Sequence, residues 1–325
     1  MKRTFIRLFF ALIIGLPTTW VHAQDDSPIK IIVGYGAGGA TDVTARFFAD
    51  RLRVKLGRPV IVDNRPGGTT LIANRAVAAA KPDGKTYLIG PMSSTIFREL
   101  LYSDKARGYS LLTDLAPVAT LSTYPMGFVV SGSIGVSNVV ELLEWIKKNP
   151  DQASFGSSSL GSHSHALGIL FNQATGVRME VVPYKSNSEI ITALIGAQLP
   201  LAVLTPQDWR ALEGSDKLRV IGTFSEKRSP LMPETPTLAE QGIKATGGDA
   251  WMGMWAPANT PADQVAAMQD AIEQVLKDPE TVRALQQNFS ADPFFIKGAE
   301  MDKRQRAEME MWREVIKTSG FSAQS

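Results

Sequence analysis

The sequence predicts a two-lobed α/β protein with a cleft between the lobes, on three observations. From Ile29 onward short β-branched runs alternate with amphipathic helical stretches, the signature of strand–helix–strand units with parallel pairing and right-handed crossovers. That alternation breaks at residues 116–133, APVATLSTYPMGFVVSGS, and then resumes, which divides the chain into two α/β units of comparable size. The remainder returns with one more strand-like run and two long helices, placed to support the first unit. The expected segments are 1–23 as an export signal, 24–125 as the first lobe, 126–222 as the second, and 223–325 as the return to the first. A chain of 325 residues is long enough for two such units.

In the first unit, Ile29 to Val33 is bounded by Pro28 and Gly34 and reads as a buried strand. A helix over Thr41 to Leu56 follows, with Val43, Phe47, Leu52 and Leu56 near a helical period, and Gly57 with Pro59 stops it. Val60 to Val62 is the second strand, Leu71 to Ala80 a helix, and Tyr87 to Ile89 the third strand after the Pro82-Asp83-Gly84 turn. The second unit opens with the amphipathic stretch VSNVVELLEWIKKNP, ended by Pro150. Strands near Ala153 to Gly156, Glu180 to Val182 and Leu199 to Leu204 alternate with helices through HALGILFNQATG and SEIITALIGAQ. WMGMWAP is the late strand, and PADQVAAMQDAIEQVLKD and GAEMDKRQRAEMEMWREVIKTSG are the closing helices. Trp145, Trp251, Trp255 and Trp312 are expected in the core.

Residues 1–23 stand apart from the fold. Lys2, Arg3 and Arg7 form a basic head, Leu8 to Leu16 an apolar run too short for a comfortable membrane span, and Val21-His22-Ala23 a loose small-x-small cleavage site before Gln24. KRTFIR resembles a twin-arginine motif with lysine in its first place, while the strongly apolar run favours the general export route. Removing the three basic residues takes the formal charge from +2 to −1, so neither nucleic acid nor an anionic membrane surface is an expected partner. The chain contains no cysteine, which excludes disulfides, thiolate metal sites, cysteine nucleophiles and a lipid-anchored N-terminus. These features point to a periplasmic protein.

The first chemical candidate is IIVGYGAGGATD, residues 31–42, in which Gly34, Gly36 and Gly39 spell G-x-G-x-x-G and Asp63 ends the next strand. A strand leading through glycines into a helix N-terminus suits any anion, because unpaired N–H groups and the helix dipole converge there. Thr41 or Asp42 capping its own helix is the structural alternative. A dinucleotide fits poorly: a free nicotinamide pool is not expected outside the cytoplasm, and Asp42 repels a pyrophosphate. No cofactor is expected. The second candidate is SFGSSSLGSHSHALG, residues 154–168, a strand running through serines and glycines into a helix. It has no G-x-S-x-G elbow, and His163 and His165 lack a third metal ligand, so neither a hydrolase nor a metal site is expected. No acid–base pair supports an enzyme. Neither loop contains arginine or lysine, so an anion there is held by dipoles and hydroxyls.

Nine segments in order resemble the Bug family, the periplasmic solute-binding proteins of tripartite tricarboxylate transporters: IKIIVGYGAGGATDVTAR, LGRPVIVDNRPGG, AAAKPDGKTYLIG, LAPVATL, GSHSHALGILF, VPYK, GAQLPL, EKRSPLMPETPTLAEQG and APANTPADQV. The resemblance covers nearly all of the chain beyond residue 23. It implies a Venus-flytrap fold of the type II class, each lobe a mostly parallel sheet flanked by helices, closing on a small carboxylate and delivering it to membrane permease subunits. It also leaves room for a role presenting the ligand to a sensor kinase, and implies a monomer. By matching position, the first-lobe site is the loop Gly34 to Asp42, with Tyr35, Gly38, Gly39, Ala40, Thr41 and Asp42, joined by Gly68, Thr69 and Ser93. The second-lobe site is Ser157, Ser158, Gly161, Ser162, His163, Ser164 and His165, with Tyr184 and Lys185, and Thr205 after the GAQ strand. Two departures stand out. Gly34 to Ala37 replaces a proline-rich stretch of the family and introduces the Tyr35 phenol. Leu204 and Thr205 stand where the family often carries an aspartate, which argues for an organic acid without an amine. Tyr35 favours an aromatic or dicarboxylic one.

Overall fold

The computed structural model describes residues 27–210 and 214–319. The export signal expected over residues 1–23 lies outside the described residues.

The chain begins with β1 (Ile29–Val33), α1 (Ala40–Leu56), β2 (Val60–Asn64), α2 (Leu71–Ala78) and β3 (Thr86–Pro91), followed by short helices α3 (Ile96–Leu101) and α4 (Asp104–Arg107) and by β4 (Leu115–Tyr124). α1 stops at Gly57, whose φ of 63° is the left-handed conformation that costs glycine least. The second set comprises β5 (Gly127–Ser131), α5 (Val139–Lys148), β6 (Ser154–Ser157), α6 (His163–Thr175), β7 (Glu180–Pro183), α7 (Asn187–Ile195), β8 (Leu201–Leu204), α8 (Pro206–Trp209) and β9 (Leu218–Thr223). β10 (Ala250–Pro257), α9 (Ala262–Lys277), α10 (Pro279–Asn288), β11 (Asp292–Pro293) and α11 (Gly298–Ser319) complete the described fold.

Two sheets result, one per lobe, ordered β11-β4-β10-β3-β1-β2 and β7-β6-β8-β5-β9. Both are mixed rather than mostly parallel. Parallel pairing is confined to β2-β1-β3 and β7-β6-β8. The antiparallel pairs follow from the crossings between lobes. β4 leaves the first lobe at Tyr124 and β10 returns to it at Ala250, so the two strands lie side by side with opposite directions. In the second lobe β5 enters and β9 leaves, again antiparallel. The break in pattern at residues 116–133 is therefore the first crossing itself, with only Pro125 and Met126 between β4 and β5. The second crossing is longer, and its two ends are tied where Gly247 and Gly248 donate to the Phe224 carbonyl and Ser225 donates to Asp249.

All eight residues of β10 are buried, because it is a central strand with both faces covered, which gives an unbroken apolar run in place of alternation. Trp251, Trp255 and Trp312 are fully buried, whereas Trp145 is only partly so. Three helices, not two, close the chain; α10 begins at Pro279 with Asp278 capping it through the Glu280 N–H. The charged run in α11 forms i,i+4 pairs, Arg306 to Asp302 at the surface and Arg304 to the largely buried Glu308, which also accepts from Trp251 Nε1, while its Met301, Met309 and Trp312 face inward.

α11 also joins the lobes. Trp312 packs edge-on against His163 of α6 at 5.2 Å between ring centres and against Phe97 of α3 at 5.4 Å. Gln173 of α6 donates to the Val315 carbonyl at 3.1 Å, and Arg98 of α3 donates to the Gly161 carbonyl at 3.0 Å. Trp312→Ala removes the ring shared by these three helices and is expected to lower stability by about 3–5 kcal/mol in urea unfolding.

Candidate ligand-binding cleft

The glycine loop delivers α1 to the cleft without a side-chain cap. Gly39, the N-cap, has extended backbone (φ −75°, ψ 163°) and no side chain to bond the first-turn amides. Gly38 adopts φ 81°, and its N–H donates to Asp42 Oδ2 at 2.8 Å. Gly34 is required by proximity, since a Cβ there meets the Cβ of Thr70 at 2.8 Å. Asp42 is 2% exposed. Its Oδ2 also accepts from Arg46 Nε at 3.0 Å, and Oδ1 accepts from Asn64 Nδ2 at 2.8 Å. Burial raises its pKa, but hydrogen bonds from Arg46, Gly38 and Asn64 outweigh burial and hold the carboxyl below the usual range. The carboxylate thus faces the loop and β2, away from any ligand at α1.

Two adjoining chambers of about 300 and 140 Å³ lie between the lobes. The larger takes Ala40, Thr41 and Thr44 from α1, Ser122 and Tyr124 from β4, and Ser290 beyond α10. The smaller takes Ser93 from the turn after β3 and Ser158, Ser162, His163 and Ser164 from the loop into α6. Tyr124, Asn187, Thr205 and Asp208 line both. Among the described residues, no arginine or lysine lines either chamber. In the serine loop, Ser157 Oγ lies 3.1 Å from both Ser162 Oγ and Ser164 Oγ, and Ser162 accepts the His165 N–H at 3.3 Å as the cap of α6. The Ser93 turn is held from behind, where Thr70 and Asn74 both donate to the Ser94 carbonyl.

Of the residues singled out in the sequence, Ala40, Thr41, Ser93, Ser158, Ser162, His163, Ser164 and Thr205 line the chambers. The others are placed elsewhere. Gly38 and Gly39 shape the turn, and Tyr35 packs on the first-lobe core while its carbonyl accepts from Asn64. Thr69 is exposed at φ 51° and its hydroxyl lies 3.0 Å from that of Tyr102. Ser157 is fully buried beneath the serine loop. His165 points to the opposite side of α6, where its Nδ1 accepts the Gly161 N–H at 3.0 Å, and Tyr184 packs in the outer core of the second lobe.

Ser122, Tyr124, Asn187 and Asp208 were not among the sequence candidates, and Asp208 changes the charge argument. An acid does occupy the cleft: Thr205-Pro206-Gln207-Asp208 is a capping box, a pattern legible as Thr-x-x-Asp, so the chamber that Leu204 and Thr205 suggested to be free of acid carries a carboxylate three residues on. Burial raises the Tyr124 pKa, with Tyr35 and Asp208 adding to it, so this phenol stays protonated as a donor. Burial lowers His163 to about 4, and both of its ring nitrogens are buried with no hydrogen-bond partner among the described residues.

This combination of two α/β lobes, a short double crossing and a hydroxyl-lined cleft between them defines a Venus-flytrap solute-binding protein. The chain belongs to the tripartite tricarboxylate transporter receptor family, TctC, whose profile matches residues 44–321. It is similar to a UPF0065 protein of the gbd 5′ region of Cupriavidus necator, 30% identical over 308 residues that span 91% of this chain and 92% of the relative. Among solved structures it resembles the periplasmic binding protein BugD, with a TM-score of 0.77, 29% identity and coverage of 91% of this chain and 99% of the other. An R. palustris protein, Rpa4515, solved with adipate, matches with a TM-score of 0.80, 28% identity and coverage of 91% and 98%.

Asp42→Ala strands three donors and is expected to lower stability by about 1–3 kcal/mol in urea; at pH well below 4 the wild type loses the same advantage, because its depressed carboxyl is then protonated in both states. His163 gives the second pH effect. Its folded-state pKa lies below the unfolded 6.5, so the unfolded chain takes the proton first and stability falls as pH drops from 6.5 towards about 4. His163→Phe is expected to flatten that slope in thermal melts taken across this range.

Proposed function

We propose that this protein captures a small organic carboxylate between its lobes in the periplasm and delivers it to the permease subunits of a tripartite tricarboxylate-type transporter. The observation that carries the reading is the cleft itself, in which a helix start with no side-chain cap and a set of hydroxyls face each other with no lysine or arginine among the described residues that line it. Such donors stabilise a carboxylate by dipole and hydrogen bond, each contact modest and the set directional. Family membership and the adipate found in the R. palustris relative support the ligand class. A dicarboxylate suits the layout best: one end reaches Ala40 and Thr41, the other Ser158 and Ser162, with Tyr124 between. In this reading Tyr124, which lines both chambers, is the phenol that meets the acid, with Tyr35 near enough to raise its pKa. Closure follows because a ligand touching both lobes favours the state in which both contacts are made.

Mass spectrometry of the small molecules released on denaturing the purified protein is expected to show a carboxylic acid, confirmed by calorimetry with that acid; a sugar or phosphate ester as the bound species overturns the reading. Gly39→Val tests the loop. Its extended backbone suits valine, but the new Cβ lies 3.3 Å from the Gly36 carbonyl oxygen and must push that turn slightly, so a small fall in melting temperature is expected while the side chain covers the α1 amides. Affinity for the acid is expected to fall by about tenfold or more.

A further inference from the structure

The carboxylate of Asp208 stands in the stretch common to both chambers. Its Oδ2 accepts from the Thr205 N–H at 2.9 Å and from the Thr205 hydroxyl at 2.7 Å, and its Oδ1 accepts from Asn187 Nδ2 at 2.9 Å. A carboxylate offers about four lone-pair sites. Three are occupied by these bonds, and the remaining one belongs to Oδ1. All three donors are neutral, so they orient the group without cancelling its charge. Thr205 and Asn187 come from α8's N-cap and from the start of α7, which makes the acid a fixed part of the second lobe rather than a mobile surface side chain.

A fixed negative charge in a cleft that receives an anion is a constraint on that anion. Before closure, water solvates Asp208. After closure that water is displaced, and an unsatisfied carboxylate close to a bound one becomes expensive through desolvation and like-charge repulsion. The cost is removed when the ligand itself brings a hydrogen-bond donor to Oδ1, and a cationic donor also neutralises the charge. A bare methylene does neither. Sites built around a buried polar group discriminate strongly against analogues that lack its partner.

We propose that Asp208 determines specificity, making the cleft select a carboxylic acid that carries a donor substituent, ammonium or hydroxyl, on its carbon chain over the unsubstituted acid of the same length. This rests on the carboxylate reading above. The two ends of the acid bind the donors of α1 and of the serine loop, and its substituted carbon lies against Asp208.

The test is isothermal calorimetry with matched sets of four-, five- and six-carbon diacids: succinate, malate and aspartate; glutarate, 2-hydroxyglutarate and glutamate; adipate, 2-hydroxyadipate and 2-aminoadipate. In the best-bound set, a substituted acid is expected to bind the wild-type protein at least about tenfold more tightly than the bare one. Asp208→Asn keeps an acceptor for Thr205, requires Asn187 to turn its amide and accept instead of donate, and loses the charge; it is expected to shrink that gap in a protein that still melts cooperatively. A lead by the amino acid identifies ammonium as the favoured donor, and a lead by the hydroxy acid identifies hydroxyl. Equal or tighter wild-type binding of the bare acid overturns the proposal while leaving the carboxylate reading intact, and needs no variant to be seen. An undiminished gap in a folded Asp208→Asn protein overturns it as well. Failure of all nine acids to bind overturns the proposal, while the carboxylate reading is overturned separately by a released ligand that is not an acid.

Discussion

The first lobe's half of the cleft stands on one buried carboxylate. Asp42 holds Gly38 in its left-handed turn, aligns Asn64 at the end of β2 and anchors Arg46 one turn further along α1. With those contacts in place the chain can leave β1, reverse through glycines and start a helix whose first amides have no side-chain cap. An acid in the first helical turn ordinarily completes the dipole from within. Here it is turned behind the loop, and the open side of the helix start is left to Ala40 and Thr41. The position of α1 relative to β4, and therefore the larger chamber, follows from that arrangement.

The second lobe supplies the complementary half by different means. Ser162 caps α6, and the neighbouring hydroxyls of Ser157 and Ser164 bond it in turn, so the loop is ordered by its own side chains. The same loop carries Gly161, which accepts from Arg98 of the first lobe, and leads into His163 between Phe97 and Trp312. The segment that lines the smaller chamber is thus also one through which the lobes touch. A ligand that shifts it acts directly on the lobe contact.

What the sequence discloses divides along the distance over which information travels. The alternation of β-branched runs and amphipathic stretches is local, and it locates β1 to β3 and most of the second lobe. The glycine loop is legible for the same reason. The mixed pairing is not, because the direction of β10 depends on where the chain has been since β4. Nor is the role of Asp42, whose partner Asn64 lies twenty-two residues away. His163 and His165 are indistinguishable as residues, yet two helical steps turn them to opposite sides of α6, one into the cleft and one away. Tyr124 and Ser122 alternate on one face of β4, but nothing near them says that this face borders the cleft. Asp208 is the instructive case: its capping pattern is written in four consecutive residues, while its place in the chamber is a property of the assembled lobe.

The strand order of the first sheet bears on how the chain reaches this state. β10 sits between β3 and β4, so residues up to 124 contain only the separate pieces β2-β1-β3 and β4, with no strand to join them. The second sheet, by contrast, is complete within residues 127–223. Contacts between strands so far apart in sequence form slowly, since a long loop must close before they are rewarded. The first lobe is therefore unfinished until β10, which ends at Pro257, is available to join its two pieces. The topology makes the first lobe the last part of the fold to close, after a second lobe whose strands are all in hand by residue 223.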